Sequence, residues 1–204
     1  MSGEKTVRGQ SGVTLIELMT GLVITGLLLL LAAPAFTTFI QNSQIRTAAE
    51  SILGGLQRAR AEAIKGNTVA LFSLTTSIDN NCAVSAAGPD WVVSSSDPTA
   101  ACGNGAQIPP YVIQKQAADG TANAVVAATQ NTVATSGQIV FNGFGRVTPV
   151  QPYDTDIDVT NPTGGNCGTG SSDMRCLRVV VSPAGMVRLC DPSAAYSLTN
   201  SQGC

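Results

Sequence analysis

From Leu18 to Ile40 the chain runs through 23 residues without a charge, and Leu27 to Leu31 is an unbroken leucine run. At ~1.5 Å per helical residue such a stretch reaches ~35 Å, enough to cross a bilayer with some tilt. A carboxylate, Glu17, stands at its N-terminal edge. Acids in apolar helices are costly, and they are usually paired or functional. Ahead of it the chain is short and slightly basic, with Lys5 and Arg8 against Glu4. A secretory signal peptide would account for the basic start, the apolar centre and Ala33-Pro34-Ala35 as a cleavage site, leaving Phe36 near the mature terminus. Against that reading, the apolar stretch is longer than an ordinary signal core. Gly9, Gln10, Ser11 and Gly12 also separate the last basic residue from it.

The remainder suffices for one modest domain with a single core. The chain has no histidine, which removes Ser-His-Asp and Cys-His catalysis and the common histidine metal sites. That argues against an enzyme, and no cofactor is expected. From Asn67 onward five Lys/Arg face nine Asp, so this part repels polyphosphate on average, and nucleic-acid binding would need a local patch.

After Ile40 the pattern becomes striped. Ile45, Ala49, Ile52, Leu56, Ala59 and Ala63 recur at spacings of four and three, one face of a helix, while Arg46, Glu50, Gln57, Arg58 and Glu62 fall elsewhere. Gly66-Asn67 reads as a helix stop. One helix is therefore expected from Val13 to about Lys65, and Gly54-Gly55 within it marks a close packing contact or a bend. From Thr68 on, short β-rich runs take over. The expected strands are Thr68–Leu74, Trp91–Ser94, Tyr111–Lys115, Asn123–Ala127, Gln138–Phe141, Arg146–Thr148, Asp156–Val159, Cys176–Ser182 and Met186–Cys190, with a hairpin turn at Asn142-Gly143. The fold class is thus α+β: a long N-terminal helix, half transmembrane and half amphipathic, packed on an antiparallel β-sheet domain.

Gly12-Val13-Thr14-Leu15-Ile16-Glu17 resembles the processing motif of type IV pilins and type II secretion pseudopilins. The resemblance implies that a prepilin peptidase cuts between Gly12 and Val13 and that Val13 is then N-methylated. Val13 stands where the family usually has Phe. It also implies that Glu17 serves filament assembly, its carboxylate neutralising the new amine of a neighbouring subunit, and that Pro34 marks the helix kink. The plainer alternative for Glu17 is a glutamate snorkelling near the membrane surface. The stretch from Ala48-Ala49-Glu50 to Ala63-Ile64 resembles the GspH/FimT branch, which includes the FimT and FimU minor pilins. The implied organisation is a leader over 1–12, a transmembrane helix over 13–40, an amphipathic continuation over 41–66 and a disulfide-stapled β-rich head over 67–204.

The implied role is a minor type IV pilin of a tip complex that initiates or caps the pilus. Its partners would be other minor pilins, the major pilin, the inner-membrane assembly platform and a tip adhesin. It would sit in the inner membrane before assembly and at the pilus tip after it. The alternatives are pseudopilin H of type II secretion and a DNA-uptake minor pilin. For the latter, some FimT-like pilins bind DNA through Gly-Arg-x-Arg after the last turn. Here the residues are Gly185-Met186-Val187-Arg188, without the first arginine. With Pro183-Ala184-Gly185 as the turn, Arg178 and Arg188 share the face opposite Leu177, Val179, Val181, Val187 and Leu189 and face solvent. They are the candidate nucleic-acid residues, with a plain solvated face as the default.

All six cysteines lie beyond the apolar stretch, with no C-x-x-C spacing, which favours disulfides in an oxidising compartment over a metal site. Fifteen pairings can be drawn. Proximity favours Cys82 with Cys102, Cys167 with Cys176 and Cys190 with Cys204. Asp154-Thr155-Asp156-Ile157-Asp158 resembles the opening of a calcium loop, but the required glycine and closing glutamate are missing, and a strand with one wet face explains it better.

Overall fold

A computed structural model describes residues 12–118, 121, 123–161, 163–168, 174–197 and 199–204, with the side chains of 31–35 outside that set. Most of the expected leader and the kink expected at Pro34 therefore lie outside the described residues. The chain divides into two compact units between Thr37 and Thr38.

A single helix, α1 (Leu15–Gly66), is followed by nine strands: β1 (Ala70–Thr75), β2 (Asp90–Ser94), β3 (Val112–Gln116), β4 (Val125–Gln130), β5 (Val133–Ala134), β6 (Gln138–Phe141), β7 (Thr155–Thr160), β8 (Leu177–Val181) and β9 (Val187–Cys190). α1 stops where the sequence signals it. Asn67 turns left-handed (φ 44°), the Thr68 amide donates to the Ala63 carbonyl and the Asn67 amide to that of Ile64, which satisfies two end carbonyls.

The strands form two antiparallel sheets, ordered β3-β2-β1-β6 and β5-β4-β7-β8-β9. Ile45, Ala49, Ile52, Leu56, Ala59 and Ala63, the whole expected stripe, are buried together with Phe72, Phe141, Ile157, Val159 and Val179 from the sheets. Burying a side chain of this size stabilises by roughly 1.5–3 kcal/mol for the larger members. Of the two mid-helix glycines, Gly55 is the packing contact. A Cβ there would lie 2.8 Å from Phe72 and 3.0 Å from Trp91, whereas one on Gly54 meets nothing within 4 Å. Trp91 Nε1 donates to Ser51 Oγ (2.9 Å), so the indole is both packed and satisfied against α1.

The strand expectations need three corrections. Arg146–Thr148 is no strand. The turn after β6 consumes residues through Arg146, leaving one bridge between Phe141 and Val147 before Pro149, which cannot donate. The two-residue β5 was not foreseen, being too short to show alternation. β4 runs later than expected, Val125–Gln130 against Asn123–Ala127, because its alternating burial begins only at Val126.

Candidate functional site

The described N-terminal segment begins at Gly12. Thr14 caps α1: its hydroxyl accepts from the Glu17 amide (3.4 Å), while the Glu17 carboxylate accepts from the Thr14 amide (3.2 Å) and hydroxyl (3.0 Å). This reciprocal arrangement satisfies otherwise orphaned donors at a helix start and holds the acid at the positive end of the macrodipole. Both Thr14 bonds go to Oε2. Sequence reasoning weighed Glu17 for assembly or snorkelling and missed its cap, although Thr-x-x-Glu is a legible signal. Farther on, Thr20 Oγ1 donates to the Ile16 and Glu17 carbonyls and Thr25 Oγ1 to that of Gly21, so these hydroxyls need no water. Among the described residues no helix is long and apolar enough to cross a membrane. The uncharged stretch of the sequence continues through 31–35, whose side chains lie outside them.

The second candidate was the hairpin face carrying Arg178 and Arg188. Its register is as expected, with Val180 opposite Arg188, and the turn closes through Gly185 (φ 82°) by a Gly185 amide bond to the Ser182 carbonyl (2.8 Å). The two arginines differ, however. Arg178 does not face solvent freely. It forks onto Asp158 on the neighbouring β7 (Nε to Oδ1 2.7 Å, NH2 to Oδ2 3.0 Å) and reaches Asp156 Oδ2 at 3.2 Å. The register places Asp158 directly opposite Arg178. The hydrogen bond to Asp158 holds the Arg178 pKa above its ordinary value. The partners do not gain alike. Asp156 has its carboxyl pushed up by burial, against the pull of Arg178, because one longer bond does not replace the water it loses. The fork to Asp158 is the stronger half of this pair. Arg188 is exposed, and no ion pair involves it among the described residues.

β7 alternates buried Thr155, Ile157 and Val159 with half-buried Asp156, Asp158 and Thr160, the wet-faced strand expected of the Asp run. Among the described residues no group of three His, Cys, Asp or Glu side chains is placed to hold a metal ion.

The cysteines pair Cys82–Cys102, Cys167–Cys176 and Cys190–Cys204. Cys82 and Cys102 form a small second core with Val92 and Val112. Cys190–Cys204 fastens the tail, where the Cys204 amide donates to the Asp191 and Ala194 carbonyls. Between α1 and the β9 edge lies a groove of about 600 Å³, with Leu177, Leu189 and Phe39 as its apolar surface and Arg46, Arg175 and Asp191 as its charges.

A family model described as the type II transport protein GspH matches residues 48–185, about two thirds of the chain. The chain belongs to the GspH family. A second model, the prokaryotic N-terminal methylation motif, matches residues 7–33, across Gly12, Val13 and Glu17. No curated protein matches. Two crystal structures of the type IV minor pilin FimU from Pseudomonas aeruginosa strain PAO1 are similar. One is 16% identical over 72% of this chain and 93% of that one, with a TM-score of 0.46. The other is 18% identical over 76% and 93%, with a TM-score of 0.47. As a GspH-family member the chain is a pilin-like structural protein with an α+β fold, of a kind that assembles with other pilins. The family is not one of known enzymes.

Proposed function

We propose that this GspH-family protein is a minor type IV pilin that starts or caps the filament and displays its head at the tip. Residues 1–12 are the leader removed by a prepilin peptidase, 13–40 the membrane anchor, 41–66 the rod that carries the head, and 67–204 the head itself. Before assembly the chain sits in the inner membrane, where it meets the assembly platform. In the tip complex it contacts other minor pilins, the major pilin and a tip adhesin. It catalyses nothing.

The observation that carries this reading is the Glu17 carboxylate at the start of an apolar helix within a matched methylation motif. A free amine at Val13 of a neighbouring subunit neutralises the acid and gives sliding apolar helices one axial register, since the unpaired alternative leaves a charge in lipid. The test is the mass of the mature N-terminal peptide together with Glu17→Leu. The expected results are a methylated Val13 terminus and a trimmed variant that no longer enters fibres. A terminus near Phe36, or normal incorporation of the variant, would end the proposal.

The family description itself favours one rival, a type II secretion pseudopilin in the same role at a pseudopilus tip. Deleting the gene separates the two: loss of surface pili supports the first, loss of exoprotein release with pili intact the second. The hairpin face supports DNA uptake less well, because the Arg178 charge is already met by Asp156 and Asp158.

A further inference from the structure

The groove between α1 and the β9 edge lies wholly within the unit that begins at Thr38. One wall is a single face of α1, where Phe39, Asn42, Ser43 and Arg46 stand at i, i+3, i+4 and i+7. The other wall carries Arg175, Leu177 and Leu189. Its rim is set before anything binds. The Arg175 amide donates to Asn42 Oδ1 (2.8 Å), fastening the approach to β8 onto the helix, and the Asp191 amide donates to the Gln202 carbonyl (2.7 Å). Leu177 and Leu189 pack on the core with one side and stay half-buried, while Phe39 is 69% exposed. A preformed cleft of about 600 Å³ with an open apolar floor is the size of a small-ligand site.

Its place along the chain says what lies beside it. A helix crosses the ~30 Å of bilayer hydrocarbon in about 20 residues, so a span counted from Leu18 ends near Thr37. Phe39 then stands at the far edge of the hydrocarbon, and Asn42 and Ser43 stand in the headgroup layer. Helical side chains lean toward the N-terminus, so Arg46 reaches back to that layer. Arg175, fastened to Asn42, is at the same height. This depth follows from 13–40 being the anchor. The inference therefore rests on the function proposed above, and adds the molecule met where the chain leaves the membrane.

Charge selects the ligand. Arg46 gives its Nε to Glu50 (2.7 Å), one turn farther on, and Asp191 Oδ1 accepts from the Ser193 amide (2.8 Å) and hydroxyl (2.6 Å). Among the described residues no carboxylate pairs with Arg175. Two guanidiniums thus stand beside two carboxylates, a neutral patch on an acidic head, and such a patch draws no anionic surface by its net field. We infer that the groove seats one zwitterionic phospholipid of the adjoining leaflet, bearing a phosphate and a primary ammonium. The phosphate lies against Arg175 and the remaining nitrogens of Arg46, the ammonium against Asp191, and an acyl chain covers Phe39, Leu177 and Leu189. Free phosphate or a nucleic acid would leave the apolar floor uncovered, and an anionic headgroup would leave Asp191 facing like charge.

The test uses the full-length mature chain in nanodiscs of equal parts phosphatidylethanolamine and phosphatidylglycerol. Native mass spectrometry of the released chain should find one retained phosphatidylethanolamine, favoured over phosphatidylglycerol by about tenfold. Arg175→Gln should abolish the preference. Arg146→Gln, the same charge change on a distant exposed turn, should leave it intact, with both variants melting like the parent. Ser43→p-benzoylphenylalanine locates the lipid: its ultraviolet adducts should be mainly phosphatidylethanolamine, whereas the same change at Ile40, on another face of α1, should capture both lipids equally. Inorganic phosphate in the buffer should not change these ratios. No preference, a preference that survives Arg175→Gln, displacement by phosphate, or cross-links from position 43 only to copies of the chain each overturn the lipid site and leave the filament reading standing. A mature terminus near Phe36 removes the anchor and overturns both.

Discussion

Residues 15–37 and residues 38–66 lie on one helix but are stabilised by opposite means. In the first stretch Leu15, Leu18, Leu22, Leu28 and Leu29 are all exposed, and polar satisfaction comes from within: the Thr14–Glu17 cap and the back-bonded Thr20 and Thr25. In the second, an apolar stripe is buried against two sheets and charges pair along the outer face, Arg46 with Glu50 and Arg58 with Glu62. Among the described residues these leucines have no cover, and such a surface is favourable against lipid or against other apolar helices. A stripe is covered by its own domain. On the function proposed above, the same helix carries an intermolecular half and an intramolecular half.

The sharpest way to break that division is Glu17→Leu, which should abolish incorporation into fibres while leaving the melting temperature of the detergent-solubilised chain unchanged. An equal loss of stability would show that the two halves are not independent. Next in size is Leu56→Ala, expected to destabilise the chain by about 2–5 kcal/mol in denaturant titration, against a negligible change for Leu28→Ala. Smaller, but of opposite signs at adjacent positions, are the glycines. Gly55→Ala should destabilise by about 1 kcal/mol, overpacking against Phe72 and Trp91 outweighing the gain in helix propensity. Gly54→Ala should stabilise by up to about 1 kcal/mol.

The smallest effect tests whether surface charge contributes to the head at all. Arg178→Ala should cost at most about 1 kcal/mol near neutral pH, since its ion pairs are about a third exposed. Asp156 already has its pKa raised by burial, so the folded chain holds a proton that the unfolded chain releases, and stability falls as pH climbs from the ordinary carboxylate value to the raised one. Removing Arg178 raises that pKa further. The difference between variant and parent should therefore grow as pH rises from the ordinary carboxylate value of Asp156 through its raised one, which pH-dependent melting would read.

Periodicity made most of α1 legible. Six stripe residues announced their burial because a 3.6-residue repeat has only one face to hide, and Gly66-Asn67 announced the end. The hairpin register was equally legible, since three turn residues leave one way to pair Val180 with Arg188. What stayed hidden involved residues far apart in sequence. Nothing local says that Arg178 will meet Asp156 and Asp158. Alternating acids on one strand and an arginine on another were both visible, but their pairing depends on β7 and β8 becoming neighbours in register. The same holds for the Val147 amide on the Pro183 carbonyl, which ties together two turns some forty residues apart in the chain.

By itself the amino-acid order determined what depends on short-range chemistry: an uncharged stretch with an acid at its mouth, the amphipathic stripe, the alternating strands and a motif that ties the chain to its family. The tertiary structure alone decided which arginine is neutralised and which of two adjacent glycines packs against the sheet. These depend on distances between strands that share no sequence neighbourhood, and such distances exist only once the sheets have closed over the helix.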